Sequence, residues 1–249
     1  MGKAQFGFEI LVRVHTRTGR IEFQYNKNHA KSSEIHFTVP FSSNSEKHIA
    51  EITLFNINPG HFNSIRQGDK VELFAGYHGD TGLLLSGTIF RTTTPTLQDA
   101  RRSGMQLDFV SINKNKRFEE EYTAEGHPME ILSSLATETK TSLFYLRGRL
   151  TFAFVFAGRN AELFSLTPQT GLIGSPTVAS RDDDWQDEDD DDGYGHWSFS
   201  CTSILNYHLT TFSRVDVKSK YLTHGMYVIN GEHTFNGSEA RTEFEGIEN

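Results

Sequence analysis

A single cysteine, Cys201, stands in a chain of 249 residues. One thiol excludes an internal disulfide framework and a cysteine-based zinc site, and it reads as a small buried residue. No apolar run approaches the ~20 residues of a membrane helix, so no membrane-spanning segment is expected. The start, MGKAQFGFEI, has no basic segment leading into a long apolar one. A secretory signal is therefore not expected, and synthesis in the cytoplasm is. The triplet Asn236-Gly237-Ser238 matches a glycosylation acceptor, but nothing else in the chain supports secretion. An excess of basic residues is also missing, with 24 Lys and Arg against 32 Asp and Glu. That balance argues against a reader of DNA sequence, which needs a basic face.

Reactive constellations are missing too. The eleven histidines are scattered, with no HxxxH pair and no neighbouring cysteine pair. No serine sits in a GxSxG elbow. The glycines from Gly76 to Gly82 are not followed by Lys-Ser/Thr or a helix start, so they form no phosphate loop. Glu119-Glu120-Glu121 could do acid–base work only in a cleft; as a run it reads as solvated surface. The expectation is a non-enzymatic chain with no cofactor and no metal.

What the chain does have is strand pattern. Phe8 to Val14 alternates apolar and polar residues, as do Ile21 to Tyr25 and Ile35 to Val39, the last stopped by Pro40. Ile49 to Phe55 leads to a break at Asn58-Pro59-Gly60 and a short link, Phe62 to Gln67. After Gly68-Asp69, a strand through Val71, Leu73 and Ala75 meets the turn residues His78 to Gly82. A further strand runs Leu83 to Phe90 with Gly87 inside it, where a bulge, a bend or a close backbone approach is expected. A polar excursion, Thr92 to Ser103, precedes a strand through Met105, Leu107 and Phe109. About seven strands at short spacing without a helix argue for an antiparallel barrel or sandwich.

Past Arg117 the pattern changes. Pro128, at a first helical position, precedes Met129, Leu132, Leu135 and Ala136, whose spacing predicts one amphipathic helix. Strands follow around Arg147-Gly148-Arg149. Leu166 to Pro176 reads as loop, leading to a strand near Thr177–Ala179. Trp197–Thr202, Phe212–Lys218, Gly225–Phe235 and Ala240–Ile247 read as strands, the last two joined by a two-residue Asn236-Gly237 turn. The fold class is mainly β (α+β). The expected division is a β-barrel over residues 1–117, a small α/β insertion over 118–165 and a second barrel over 166–249. Gly68, Gly76, Gly79, Gly82, Gly87, Asn236 and Gly237 are expected to set turn and bend geometry.

The acidity is concentrated. Asp182, Asp183, Asp184, Asp187, Glu188, Asp189, Asp190, Asp191 and Asp192 lie in the run 182–192 with no base among them. Removing these nine from the formal charge of −8 leaves +1. A calcium loop with Gly193 at its turn would use Glu188, Asp190 and Asp192, but its twelfth position is Phe199 and the match fails. A looser calcium or magnesium site, a solvated self-repelling loop, and an electrostatic surface facing a polyanion or a basic partner stay open.

Four phrases occur together and in order: FNINP from Phe55, RQGDKVELFAGYHGDTGLLLSGTI from Arg66, SLTPQTGLIGSP from Ser165, and SKYLTHGMYVINGEHTFNGSEARTEFEG from Ser219. In this combination the chain resembles the baseplate or tail hub proteins of tailed bacteriophages. The acidic run has no counterpart in that pattern. The resemblance implies two tail-tube-like barrels per chain and a homotrimer whose six barrels imitate a hexamer. Such a ring ends the tail tube and presents a three-fold platform to a spike or fibre. It implies a place in the virion tail, with tail tube, distal tail and tape-measure proteins as partners and DNA met only in passage through the channel. Relatives often carry a peptidoglycan-cleaving domain; this chain ends a few residues after its last expected strand, so none is expected. The alternative is a carbohydrate-binding β module of a phage tail, with Trp185, Tyr194, Trp197 and Tyr207 as stacking platforms.

Overall fold

A computed structural model describes residues 7–26, 32–44, 48–92, 99–104, 106–107, 127–153, 163–182 and 196–248. Side chains at 99–107, 179–182 and 196 are outside this description.

The first strands follow the alternation. β1 (Phe8–Thr16) buries Ile10, Val12 and Val14 on one face and turns Glu9, Leu11, Arg13 and His15 to the other. It lies between β2 (Gly19–Asn26) and β5 (Lys70–Tyr77), antiparallel to both. β5 continues into β6 (Asp80–Thr92). The turn between them is only His78-Gly79, so β6 starts three residues before the predicted Leu83. β6 pairs with β7 (Asp99–Gly104), where the sequence suggests a polar excursion. β4 (Ala50–Leu54) joins β7 to β3 (Ile35–Ser42).

β3 runs through Pro40 rather than stopping there. β4 pairs with β3 only from Ile35 to Thr38, so Pro40 lies where one side of the strand has no ladder to break. The expected Phe62–Gln67 link is also different. Residues Pro59–Ser64 form a short helix, α1, capped by Asn58, whose Oδ1 accepts from the Gly60 N–H at 2.7 Å. The first part of the chain therefore does contain a helix, six residues long and too short to show an apolar period.

α2 (Pro128–Glu138) begins at the predicted proline and packs Ala136, Met129 and Leu132 against β9 (Ser142–Leu146) and β10 (Arg149–Ala153). β8 (Gln106–Leu107) adds to this small sheet in parallel with β10. The rest of the strand expected through Met105 and Phe109 lies outside the described residues. Arg147 and Gly148, at φ 51° and 87°, make the tight β9–β10 turn, which docks on β6 through a Ser86 N–H bond to the Arg147 carbonyl.

β11 (Leu163–Leu166) pairs in parallel with β14 (Arg214–Lys218). β12 (Leu172–Asp182) takes in much of the segment expected to be loop. It bears Pro176 at a register shift between Ile173 and Thr177, and it ends the sheet, where proline is tolerated. β13 (His196–Ile204), β15 (Thr223–Phe235) and β16 (Ala240–Glu248) complete the set.

β15 holds the two halves of the chain together. Thr223 to Tyr227 pair with β14, Asn230 to Phe235 pair with β3, and the register with β16 shifts between Val228 and Asn230. The strand changes partner at this irregularity. The sheet thus runs β12-β13-β16-β15-β3-β4-β7-β6-β5-β1-β2, with β14 and β11 branching from β15. The protein is mainly β and mostly antiparallel. One core gathers residues of β1 to β6 with Leu205 and Phe235; a second gathers Phe41 with residues of β11 to β16; the third lies under α2. No helix among the described residues is long and apolar enough to cross a membrane.

Candidate assembly surface

The outward face of β1, β2 and β5 carries an interlocked set of polar side chains. Register places Gln24, Leu11 and Phe74 in one row, Glu22, Arg13 and Glu72 in the next, and Arg20, His15 and Lys70 in a third. The two lower rows interlock. Arg13 Nε donates to Glu22 at 2.9 Å, and its Nη1 lies 3.5 Å from Glu72. Glu72 also meets Lys70 at 2.9 Å and His15 at 3.2 Å. Burial alone would raise the Glu72 carboxyl, but the hydrogen bonds and charges of Lys70 and His15 hold it down to about 2. Such pairs at a surface add little stability, yet together they fix the positions of long side chains.

Beside this network lies a groove of about 680 Å³, lined by Glu9, Leu11, Arg13, Gln24, Asn26 and Phe74 among others. The Arg13 guanidinium lies 5.3 Å from the Phe74 ring centre. The groove therefore brings the apolar Leu11 and Phe74 together with the oppositely charged Glu9 and Arg13. β2 is one end of the sheet. At the other end, β12 and β13 leave Val178 and Trp197 about half exposed, at 58% and 46%.

The predicted turn residues fall in several settings. Gly68 and Gly79 adopt positive φ, 91° and 79°, before β5 and between β5 and β6. Gly76, near the end of β5, lies where an added Cβ would sit 2.2 Å from the Asp80 carbonyl oxygen. Gly82 and Gly87 are strand residues of β6. A Cβ on Gly82 would enter the Tyr207 ring, 1.9 Å from its nearest carbon. The β15–β16 connection has four residues, not two. Asn236 Oδ1 accepts from the N–H groups of Ser238 and Glu239, and Gly237 takes φ 93°. Of the acidic run, Asp182 is the last residue of β12; residues 183–192 lie outside the described residues, as do Glu119 to Glu121, Trp185 and Tyr194.

No three His, Cys, Asp or Glu side chains gather into a metal site among the described residues. His78, His224 and His15 each meet a single carboxylate. Cys201 is buried, and burial pushes its thiol up to about 12, which removes thiolate character at neutral pH.

Sequence reasoning missed the contacts that join distant segments. His233 is fully enclosed; its Nδ1 lies 2.9 Å from the Thr242 hydroxyl, which accepts from the Asn206 N–H at 3.1 Å. Burial lowers the His233 imidazole to about 3; the nearby Arg147 charge pushes the same way, while a hydrogen bond to the Leu209 backbone opposes. No linear motif announces these pairs.

No protein-family model matches the sequence, and no curated protein matches it either. Solved structures do match across nearly the whole chain. The tail protein from Neisseria meningitidis MC58 is 9% identical with a TM-score of 0.62, covering 98% of this chain and 97% of its own. The chain has a tail-protein fold. The 43 kDa tail protein of prophage MuSo2 from Shewanella oneidensis gives a TM-score of 0.60 at 10% identity, over 99% of this chain and 98% of that one. The E. coli c3393 protein is a type VI secretion component with structural similarity to the T4 tail proteins gp27 and gp5. It gives 0.55 at 9% identity, over 96% of this chain and 76% of its own. At such identities the likeness is one of fold.

Proposed function

We propose that this chain is a structural, non-enzymatic component of a phage-type tail, and within it the central hub. Three copies form a ring with pseudo-six-fold symmetry that ends the tail tube and carries the spike or fibre. The single observation that carries this reading is the whole-chain likeness to tail proteins, 98% of this chain at a TM-score of 0.62. In the proposal, residues 1–117 and 166–249 act as two tube-like units and 118–165 as the insertion between them. Two separate β-rich cores within one continuous sheet support that division, since each tube-like unit needs its own core.

The outward face of β1, β2 and β5 is the surface we assign to the neighbouring copy. Its fixed charges and apolar groove suit a contact that must hold one orientation. Virion location, tail-tube, distal tail and tape-measure partners, and DNA in passage belong to the same proposal.

Size-exclusion chromatography with light scattering tests it. The expected mass is that of three chains, with Leu11→Lys in the groove shifting the protein toward monomer while its circular dichroism stays unchanged. A wild-type monomer at all concentrations would sink the hub reading. A trimer indifferent to Leu11→Lys would move the contact to another face.

A further inference from the structure

A small cavity of about 20 Å³ lies where the three cores meet. Its wall includes His48, just before β4, Arg147 from the β9–β10 turn, Tyr207 and Thr210 from the β13–β14 connection, and His233 from β15. That volume suits one species the size of a water molecule or a chloride ion.

The polar groups around it are not balanced. Arg147 Nε and His48 Nε2 are both buried and have no hydrogen-bond partner among the described residues. Arg147 is held in place, because its Nη2 donates to the Tyr207 carbonyl at 3.1 Å. His233 has its nitrogen contacts elsewhere, with Thr242 and with the Leu209 backbone. The titratable groups lining the cavity are His48, Tyr145, Arg147, Tyr207 and His233, with no carboxylate among the described residues there. Asp80 receives the Tyr207 hydroxyl at 2.9 Å. A guanidinium edge therefore borders this small space with no carboxylate among the described residues of its wall. A charge removed from water is costly unless it is paired, and a neutral water satisfies the donor without pairing the charge.

We propose that this cavity binds one monatomic anion, chloride under ordinary conditions, between the Arg147 Nε–H and the Nε2–H of His48. The ion then ties the β9–β10 turn to the residues just before β4, beside His233 where β15 pairs with β3. This site does not depend on the hub reading.

Thermal unfolding of the full chain in sodium chloride and in sodium gluconate at equal ionic strength tests it. Gluconate is too large for the cavity. The expected result is a melting temperature higher by on the order of 4 °C at 150 mM chloride, saturating with concentration. Arg147→Met should abolish the difference. Because that variant could fold poorly, bromide-soaked crystals of the wild type give the second measurement. An anomalous peak within contact distance of Arg147 Nε and His48 Nε2 is expected. Equal melting temperatures in the two salts, chloride dependence retained in Arg147→Met, or an ordered water without an anomalous peak would each overturn the proposal.

Discussion

Tyr207 donates its phenolic hydrogen to Asp80 over 2.9 Å, joining residues 127 positions apart. The same ring lies over Gly82, and the Tyr207 carbonyl accepts from Arg147. One side chain in the β13–β14 connection thus fastens the β5–β6 hairpin to the second half of the chain, and its main chain holds the β9–β10 turn.

This contact makes Gly82 a sensitive position. Gly82→Ala would push a methyl group into the ring and should cost about 1–3 kcal/mol, as overpacking does. Tyr207→Phe removes only the hydrogen bond and should cost about 1 kcal/mol. The ring must move in Gly82→Ala, so the hydrogen bond is already lost there. The double variant should therefore be less destabilised than the sum of the singles. Urea unfolding of the three variants measures this, and additive losses would show that the two residues do not share one contact.

His233 predicts a pH dependence. An unfolded histidine titrates near 6.5, and the folded one is lowered to about 3. Between those values the unfolded chain holds a proton that the folded chain does not. The stabilising contribution is complete above the unfolded value and is lost as pH falls from there toward 3. Unfolding free energy should drop by about 2 kcal/mol between pH 7 and pH 5 from this residue alone. Glu72, lowered from 4.5 to about 2, acts only at more acid pH, so it does not confuse this window. His233→Gln should flatten the pH 5–7 slope even though it lowers overall stability. An unchanged slope would contradict the assignment.

Much of this was legible in one dimension. The alternation of Ile10, Val12 and Val14 against Glu9, Leu11 and Arg13 marks β1 and its two faces, and Pro128 with Met129, Leu132 and Ala136 marks α2. α1 escaped because six residues make less than two turns, and its helix rests on the Asn58 cap rather than on an apolar stripe. β12 escaped because glycine and proline at 171–176 read as loop, whereas an end strand with a register shift accommodates both. The candidate surface was only half visible. The outward residues of β1 could be named, but their meeting with Glu22 and Glu72 depends on register with strands far along the chain. Tyr207 is one of the four aromatics that the alternative reading offers as sugar platforms; its hydroxyl meets Asp80 and its ring lies over Gly82, contacts that no linear motif announces.

The acidic run carries a prediction of its own within the hub proposal. Nine acids per chain become 27 in three chains. If they line the channel, they repel passing DNA or hold cations. Replacing the acids of Asp182 to Asp192 by Asn and Gln should then change DNA release in an infection assay. Unchanged release and assembly would assign the run to the exterior.

The most direct test of the central claim is electron microscopy of the purified protein, alone and mixed with tail tubes from the same particle. The account predicts rings with three-fold symmetry and six lobes of density that cap one end of the tube. Isolated single chains, or rings of another order that do not join the tube, would contradict it.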